Sequence, residues 1–316
     1  MKIDKNSLEP LFLIFFSIFV FVAGIEIAAL SPLIIVTAPA VFMVMERRHG
    51  VRVSLLCVAL GSALVMAGLG AGVAFIYMFA MGILGVTFGV LSGRFKSGAE
   101  FLLASISASV AVKVFLLVIF YGATGVNLLA LTPERALNIA ANISYFLSRG
   151  GISIPPDSVS EYAREIELVL AQRAPSMLII FSSIDTFASY VAGAMALKKF
   201  GGGRIPVIPK FAYWKFPKNI FLAVIAAVIL DAIGRAGSGN DTFSMVASNI
   251  LELLYWLFLI EGLALAWYYM TARHMNRFFK IPAVLFCCLI SPLSFIMSCV
   301  GFADIWFDLR RYVGGK

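Results

Sequence analysis

Seven apolar runs, each close to the length a bilayer demands, follow one another along this chain at 8–29, 51–68, 72–92, 99–122, 176–197, 219–235 and 243–270. A hydrocarbon core of about 30 Å takes roughly 20 residues of α-helix. A helix also satisfies its own backbone N–H and C=O groups where no water can. Two shorter runs, 31–45 and 281–300, cross or re-enter. Of 316 residues, 61% are hydrophobic and 13% charged, with a mean hydropathy of +0.96; soluble domains run at about 45–50% and about 25%. The implied fold class is all-α: a polytopic transmembrane helix bundle of about eight spans, forming a single membrane domain over 1–316.

Lys2 and Lys5 precede the first run in the manner of a signal peptide. That run is longer than an h-region of about 7–15 residues and leads into more membrane sequence, so it reads as the first span. Most of the 25 Lys and Arg residues fall on one side of the alternating connections, including Arg47, Arg48, Arg52, Arg94, Lys96 and six residues of 198–218. The other side carries Arg135, Arg149, Arg164, Arg173 and Arg235. Short cytoplasmic loops collect cations. The N-terminus of this multi-pass protein is therefore placed in the cytoplasm. A full crossing by 281–300 would leave Arg310, Arg311 and Lys316 outside; Pro282 and Pro292 permit a broken helix or hairpin that returns them.

The net charge of +8 is met by anionic lipid facing these loops, and no nucleic-acid partner is implied. No Gly-rich phosphate loop is present, since GAGVAF and FGGGR lack the Lys-Ser/Thr ending. With only His49 and His274, and with Cys57, Cys287, Cys288 and Cys299 in apolar runs without zinc-like spacing, no metal and no cofactor are expected.

Two segments interrupt the spans. Residues 123–175 form a long extracytoplasmic loop holding two amphipathic stretches, TPERALNIAANISYFLSRG and DSVSEYAREIELVLAQRA. In the second, Ser158 or Ser160 could cap a helix whose Ile166, Val169 and Leu170 recur at helical spacing. Residues 198–218 are basic, aromatic and broken by three prolines, Pro206, Pro209 and Pro217. Cations interleaved with rings suit the headgroup layer, so Lys210, Trp214, Lys215 and Lys218 are read as a lipid or partner interface.

Ionisable residues at membrane depth cost about 2.5–3.5 kcal/mol even on lenient scales, so they face protein or a water-filled cavity. Asp231 precedes Arg235 by four residues and reads as a rim ion pair; Glu26 and Glu261, nearer span ends, read as structural. Three other charges sit in polar stripes. Ser105, Ser109 and Lys113 repeat every four residues; Ser182, Asp185 and Ser189 repeat at three and four; Ser244, Ser248, Glu252 and Tyr255 do likewise. Such stripes belong against protein or water rather than lipid. Lys113, Asp185, Glu252, Ser109, Ser182, Ser189 and Ser248 are the candidate solute-binding or buried polar residues, and antiparallel neighbouring spans are expected to bring Asp185 within reach of Lys113. A buried salt bridge that fixes helix register is the alternative reading of the same residues. Gly85, Gly89 and Gly93, spaced by four, mark a seam where helices can pack closely.

The motif PKFAYWKFPKNI, the early APAVFMVMERRHGVRVS and the closing GFADIWFDLRR resemble the YybS-like bacterial membrane proteins over most of the chain. That family in turn resembles the substrate-binding S components of energy-coupling-factor vitamin transporters. The resemblance implies an S-component-like core of about six helices with extra C-terminal helices, and a cavity for a small-molecule solute towards the outer face. It also implies a coupling membrane subunit and an ATPase as partners, and a place in the bacterial cytoplasmic (inner) membrane. The reading is a solute-binding or transport-related membrane protein. The alternative is a non-transporting scaffold or regulator of envelope processes, which the basic-aromatic segment supports. No nucleophile-base pair stands out, and the chain is read as a non-enzyme.

Overall fold

The structure is a computed structural model that describes residues 5–27, 37–127, 132–149, 155–203, 205–236 and 241–312. Ala28, Ala29, the first part of the 31–45 run, Arg204 and Lys316 lie outside the described residues. All regular structure among the described residues is helical: α1 (Lys5–Glu26), α2 (Pro39–Leu69), α3 (Ala71–Arg94), α4 (Gly98–Thr124), α5 (Pro133–Arg149), α6 (Pro156–Phe200), α7 (Ile220–Ala236), α8 (Asp241–Ala272), α9 (Arg277–Leu289) and α10 (Ser291–Phe307). This is a polytopic helical bundle.

Six segments are long and apolar enough to cross a membrane: Leu8–Glu26, Pro39–Leu69, Ala71–Arg94, Gly98–Thr124, Gln172–Phe200 and Thr242–Ala272. The pair α9 and α10 meets at a 101° bend and makes a seventh if counted as one broken span. Its break falls at Ile290, which is extended (φ −91°, ψ 111°), just before Pro292 in the first turn of α10, where a proline without an N–H costs nothing. The 219–235 run, expected as a span, becomes α7, whose 17 residues make a helix of about 26 Å at about 1.5 Å per residue; it is shorter than the six candidate spans and not among them. Gly50 (φ +81°, ψ 168°) kinks α2, so that 39–49 forms a short arm before the longer 51–69 piece.

The chain divides into two compact units, one of residues 1–128 and 178–208, the other of 129–177 and 209–316. In the first unit α1, α2 and α3 share a core containing Ile14, Phe21, Phe42, Met45, Val58 and Tyr77. Tyr77 opens a π-helical turn, Tyr77–Ile83. Its fully buried hydroxyl shares a 2.6 Å hydrogen bond with Ser17, and its ring lies where a Cβ on Gly61 would stand. Gly85 faces the Pro39 carbonyl and Phe42, Gly89 faces Glu46, and Gly93 faces Arg47. The four-residue glycine spacing thus forms the α2–α3 seam. A second cluster, Met43, Leu84, Phe88 and Phe101, packs against Tyr190 of α6.

In the second unit α8 packs on α10 around Leu254, Phe258 and Ile305. The closest approach is at Gly262 and Gly301: a Cβ on Gly262 would meet the Met297 carbonyl, and one on Gly301 the Phe258 carbonyl. Also in this unit, Ala136 and Ala140 of α5 cluster with Ala163 of α6. Helix α6 starts at Pro156, a residue suited to a first turn, rather than at a cap on Ser158 or Ser160. It then runs unbroken through Pro175, where the sequence suggested a new span starting at 176.

The reason is Asn249 of α8. Pro175 disturbs the local helical ladder, and the Asn249 amide steps into the gap: its Oδ1 accepts from the Ser176 N–H (2.9 Å) and its Nδ2 donates to the Gln172 carbonyl (2.7 Å). Ser176 and Gln172 are four apart, the pair a regular helix would join directly. One side-chain amide therefore splices the helix and keeps both backbone groups satisfied.

Replacing Gly262 by Leu is expected to force α8 and α10 apart and to lower stability by at least about 1–3 kcal/mol, the usual cost of overpacking. Gly68→Ala, where an added Cβ meets nothing within 4 Å, should be neutral or stabilising by up to about 1 kcal/mol. Thermal unfolding of the purified variants in detergent checks both.

Candidate functional site

Three of the expected polar residues converge with Lys113 in the first unit. On α4, Ser105 and Ser109 are fully buried and share a face with Lys113; on α6, Ser182, Thr186 and Ser189 are fully buried beside Asp185. Lys113 Nζ donates to the Asp185 carboxylate, to Ser109 Oγ (2.6 Å) and to Ser182 Oγ (3.1 Å). Ser109 in turn donates to Asp185 Oδ1 at 3.2 Å, and Thr186 donates to the same oxygen at 3.4 Å. An ammonium has three protons to place, and here it has three acceptors. Ser109 both accepts from the lysine and donates to the carboxylate, so a hydroxyl bridges the two charges. The side chains of Lys113 and Asp185 keep 28% and 14% of their surface exposed, so the pair is only partly covered while its hydroxyl fence is closed. Chemically this is a preorganised dipole that can hold a proton, an ion or a small polar solute near the middle of two crossings.

Glu252 and Ser248 are not in this cluster. Glu252 belongs to the second unit, where Oε2 accepts from Arg173 (2.9 Å) and Oε1 from the indole of Trp256 (3.0 Å). Ser248 donates to the Met245 carbonyl of its own helix. The sequence placed Arg173 among loop charges; it is instead the partner of an intramembrane glutamate. Asn249, Glu252 and Trp256 do stand at helical spacing, which could have revealed a working face.

The second unit also contains a tighter charge node. Glu261 and Asp304 are fully buried, and Arg310 lies between them: Nη2 donates to Glu261 Oε1 (2.8 Å) and Nε to Asp304 Oδ2 (3.0 Å). Two further N–H groups reach the backbone carbonyls of Ala212 (3.0 Å) and Trp214 (2.6 Å), while Glu261 Oε2 accepts from Phe216 N–H (2.9 Å). One guanidinium thus joins α8, α10 and the 209–216 segment. The sequence read Glu261 as structural, in line with this, but carried no sign of its partners, which lie 43 and 49 positions downstream at no helical spacing. Asp231 and Arg235 form the i, i+4 pair at 2.8 Å.

Of the residues read as a lipid or partner interface, Lys210 and Lys218 are exposed. Trp214 packs edge-on to Phe211 and donates to the Pro209 carbonyl at 2.8 Å. Lys215 pairs with Asp308 at 2.6 Å. That lysine's hydrogen bond, helped by Arg311, holds the Asp308 carboxyl below the usual carboxylate range. Among the described residues no group of three His, Cys, Asp or Glu side chains could hold a metal.

The chain belongs to the family described as "Predicted membrane protein (DUF2232)", whose model matches residues 12–305. No curated protein and no solved structure matches it. The protein is a multi-pass membrane protein embedded in a lipid bilayer.

Two outcomes follow from the second-unit contacts. Arg310→Ala leaves two buried carboxylates without their cation and should cost about 3–5 kcal/mol in thermal or denaturant unfolding. Arg310→Lys should recover only part of this, because a compact ammonium cannot span the four acceptors that the planar fork reaches. For Asp308, a depressed folded pKa means that its stabilising contribution is present above the unfolded value of about 3.9. That contribution is lost as pH falls through the lower folded value. Acidification through that window should loosen the 209–216 segment, read by Trp214 fluorescence in a variant lacking the other tryptophans, and Asp308→Asn should flatten the transition.

Proposed function

We propose that this protein is a solute-binding, transport-related membrane protein whose site is centred on Lys113 and Asp185. The observation that carries the reading is the hydroxyl-bridged, partly open charge pair on the crossings Gly98–Thr124 and Gln172–Phe200. Charges at this depth are costly and are usually retained where a pathway or ligand uses them. The likeness of PKFAYWKFPKNI and its companion motifs to YybS-like proteins, and of those to S components, supports the same class. On that reading the protein lies in the bacterial cytoplasmic membrane with its N-terminus inside, works with a coupling membrane subunit and an ATPase, and performs no chemical step of its own.

The test is recovery of bound solute. The full chain purified from native membranes should yield, on extraction and mass spectrometry, a small polar molecule in fixed proportion. Asp185→Asn, whose amide oxygen still offers Lys113 an acceptor, should still fold and lose that molecule, and a Lys113→Asp, Asp185→Lys exchange should fold but stay empty, because the solute meets reversed charges. If instead no solute is recovered from the parent, and the exchange restores the stability lost in Lys113→Ala (about 3–5 kcal/mol for an orphaned buried charge), the pair is a structural bridge and the proposal fails.

A further inference from the structure

One end of the first unit gathers the ends of several helices. Glu9 stands at the start of the crossing Leu8–Glu26, Arg94 ends Ala71–Arg94, and Phe200 ends Gln172–Phe200. Arg47, Arg48 and His49 arrive there at the Gly50 kink of α2. A cavity of about 280 Å³ opens between these pieces, lined by Glu9, Arg47, Arg48 and His49 on one side and by the turn Phe200–Gly202 on the other.

Each lining group has a distinct state. Arg48 is committed: it pairs with Glu9 (Nη2 to Oε2, 2.8 Å) and donates to the carbonyls of Phe200 and Gly201 at the end of α6. It forms a fixed wall. The Arg47 head is bounded by glycine backbone, since a Cβ on Gly93 would fall on Nη1 and one on Gly203 would stand 2.9 Å from Nη2. His49 Nε2 is buried without a hydrogen bond among the described residues; its closest acid is Glu9 Oε2 at 3.5 Å. Gly201, Gly202 and Gly203 take φ of +79°, +129° and +97°, which side chains disfavour, so this wall is bare backbone. The Glu46 carboxylate lies against Gly89 rather than in the lining. Lys198, Lys199 and Arg52, within three residues of the lining along the chain, are exposed.

A cavity with two guanidiniums, an imidazole and one carboxylate, set where several crossings end, fits a phosphate. Guanidinium forks match phosphate oxygens, and basic pockets at the ends of membrane helices suit phospholipid headgroups. Because the crossings terminate at this level, the phosphate at hand is that of the bilayer itself. We propose that this cavity binds the phosphate of an anionic phospholipid headgroup, with Arg47 and His49 as the donors and Arg48 as their fixed neighbour.

Native mass spectrometry of the purified full chain tests this with phosphatidylglycerol, phosphatidylcholine and inorganic phosphate as probes. Phosphatidylglycerol should be retained in preference to phosphatidylcholine, and the Arg47→Gln, His49→Gln double variant should weaken its retention by about tenfold, as expected for two interfacial donors. Arg47→Lys should keep most of it, and Arg52→Gln, outside the lining, should keep all. The comparison of the two lipids on the unaltered protein stands even if the double variant folds poorly. Equal retention of the two lipids, or unchanged retention in a folded double variant, would overturn the site. Displacement of phosphatidylglycerol by millimolar inorganic phosphate would overturn the assignment to lipid in favour of a soluble anion.

Discussion

A charge inside a bilayer must find its counterpart within the protein, and much of this structure is arranged by that requirement. Lys113 meets Asp185, Arg173 meets Glu252, and Arg310 meets Glu261 and Asp304. Since an unpaired charge costs several kcal/mol where it is buried, each pair fixes the rotation and depth of the helices that bring it. The pairs differ in how far they are covered. Arg310 reaches two fully buried carboxylates and two carbonyls, which makes it a clamp. Lys113 and Asp185 touch directly and through Ser109, and keep part of their surface exposed.

Close packing is the second organising force, and in both units glycine supplies it. Without a hydrophobic gain from burying apolar surface out of lipid, helices associate through van der Waals contact and backbone proximity. Gly85, Gly89 and Gly93 let α3 lie on α2; Gly262 and Gly301 let α8 and α10 meet backbone to backbone. The π-helical turn at Tyr77 serves the same end differently. It seats a large ring over Gly61 and gives its hydroxyl a partner in Ser17, so a polar atom enters the apolar core satisfied.

The features legible in the sequence were those with a local period. Apolar runs marked the helices; Ser105, Ser109 and Lys113 marked a face by their four-residue repeat; glycines spaced by four marked a seam. Pairing over a long separation was legible only for Lys113 and Asp185, where polar stripes on two successive spans announced it; the other long-range pairs left no such mark. Arg173 looked like a loop cation because nothing near it in sequence is acidic at helical spacing on the correct face, yet it serves Glu252. Arg310 counted only as a tail charge, although two buried acids depend on it. A new span was expected to start at 176, whereas α6 runs on through Pro175. The repair comes from Asn249, and local propensity has no means of announcing a donor in another helix.

That repair makes the completion of α6 a matter of time as well as of geometry. Ser176 and Gln172 precede Asn249 by 73 and 77 residues. At about 5–20 residues per second of synthesis, the splice arrives about 4–15 s after the break has been made. Until then the Ser176 N–H and the Gln172 carbonyl are without the amide that joins them in the finished fold. The continuity of α6 through Pro175 is thus completed by a residue that enters the chain 73 positions after Ser176.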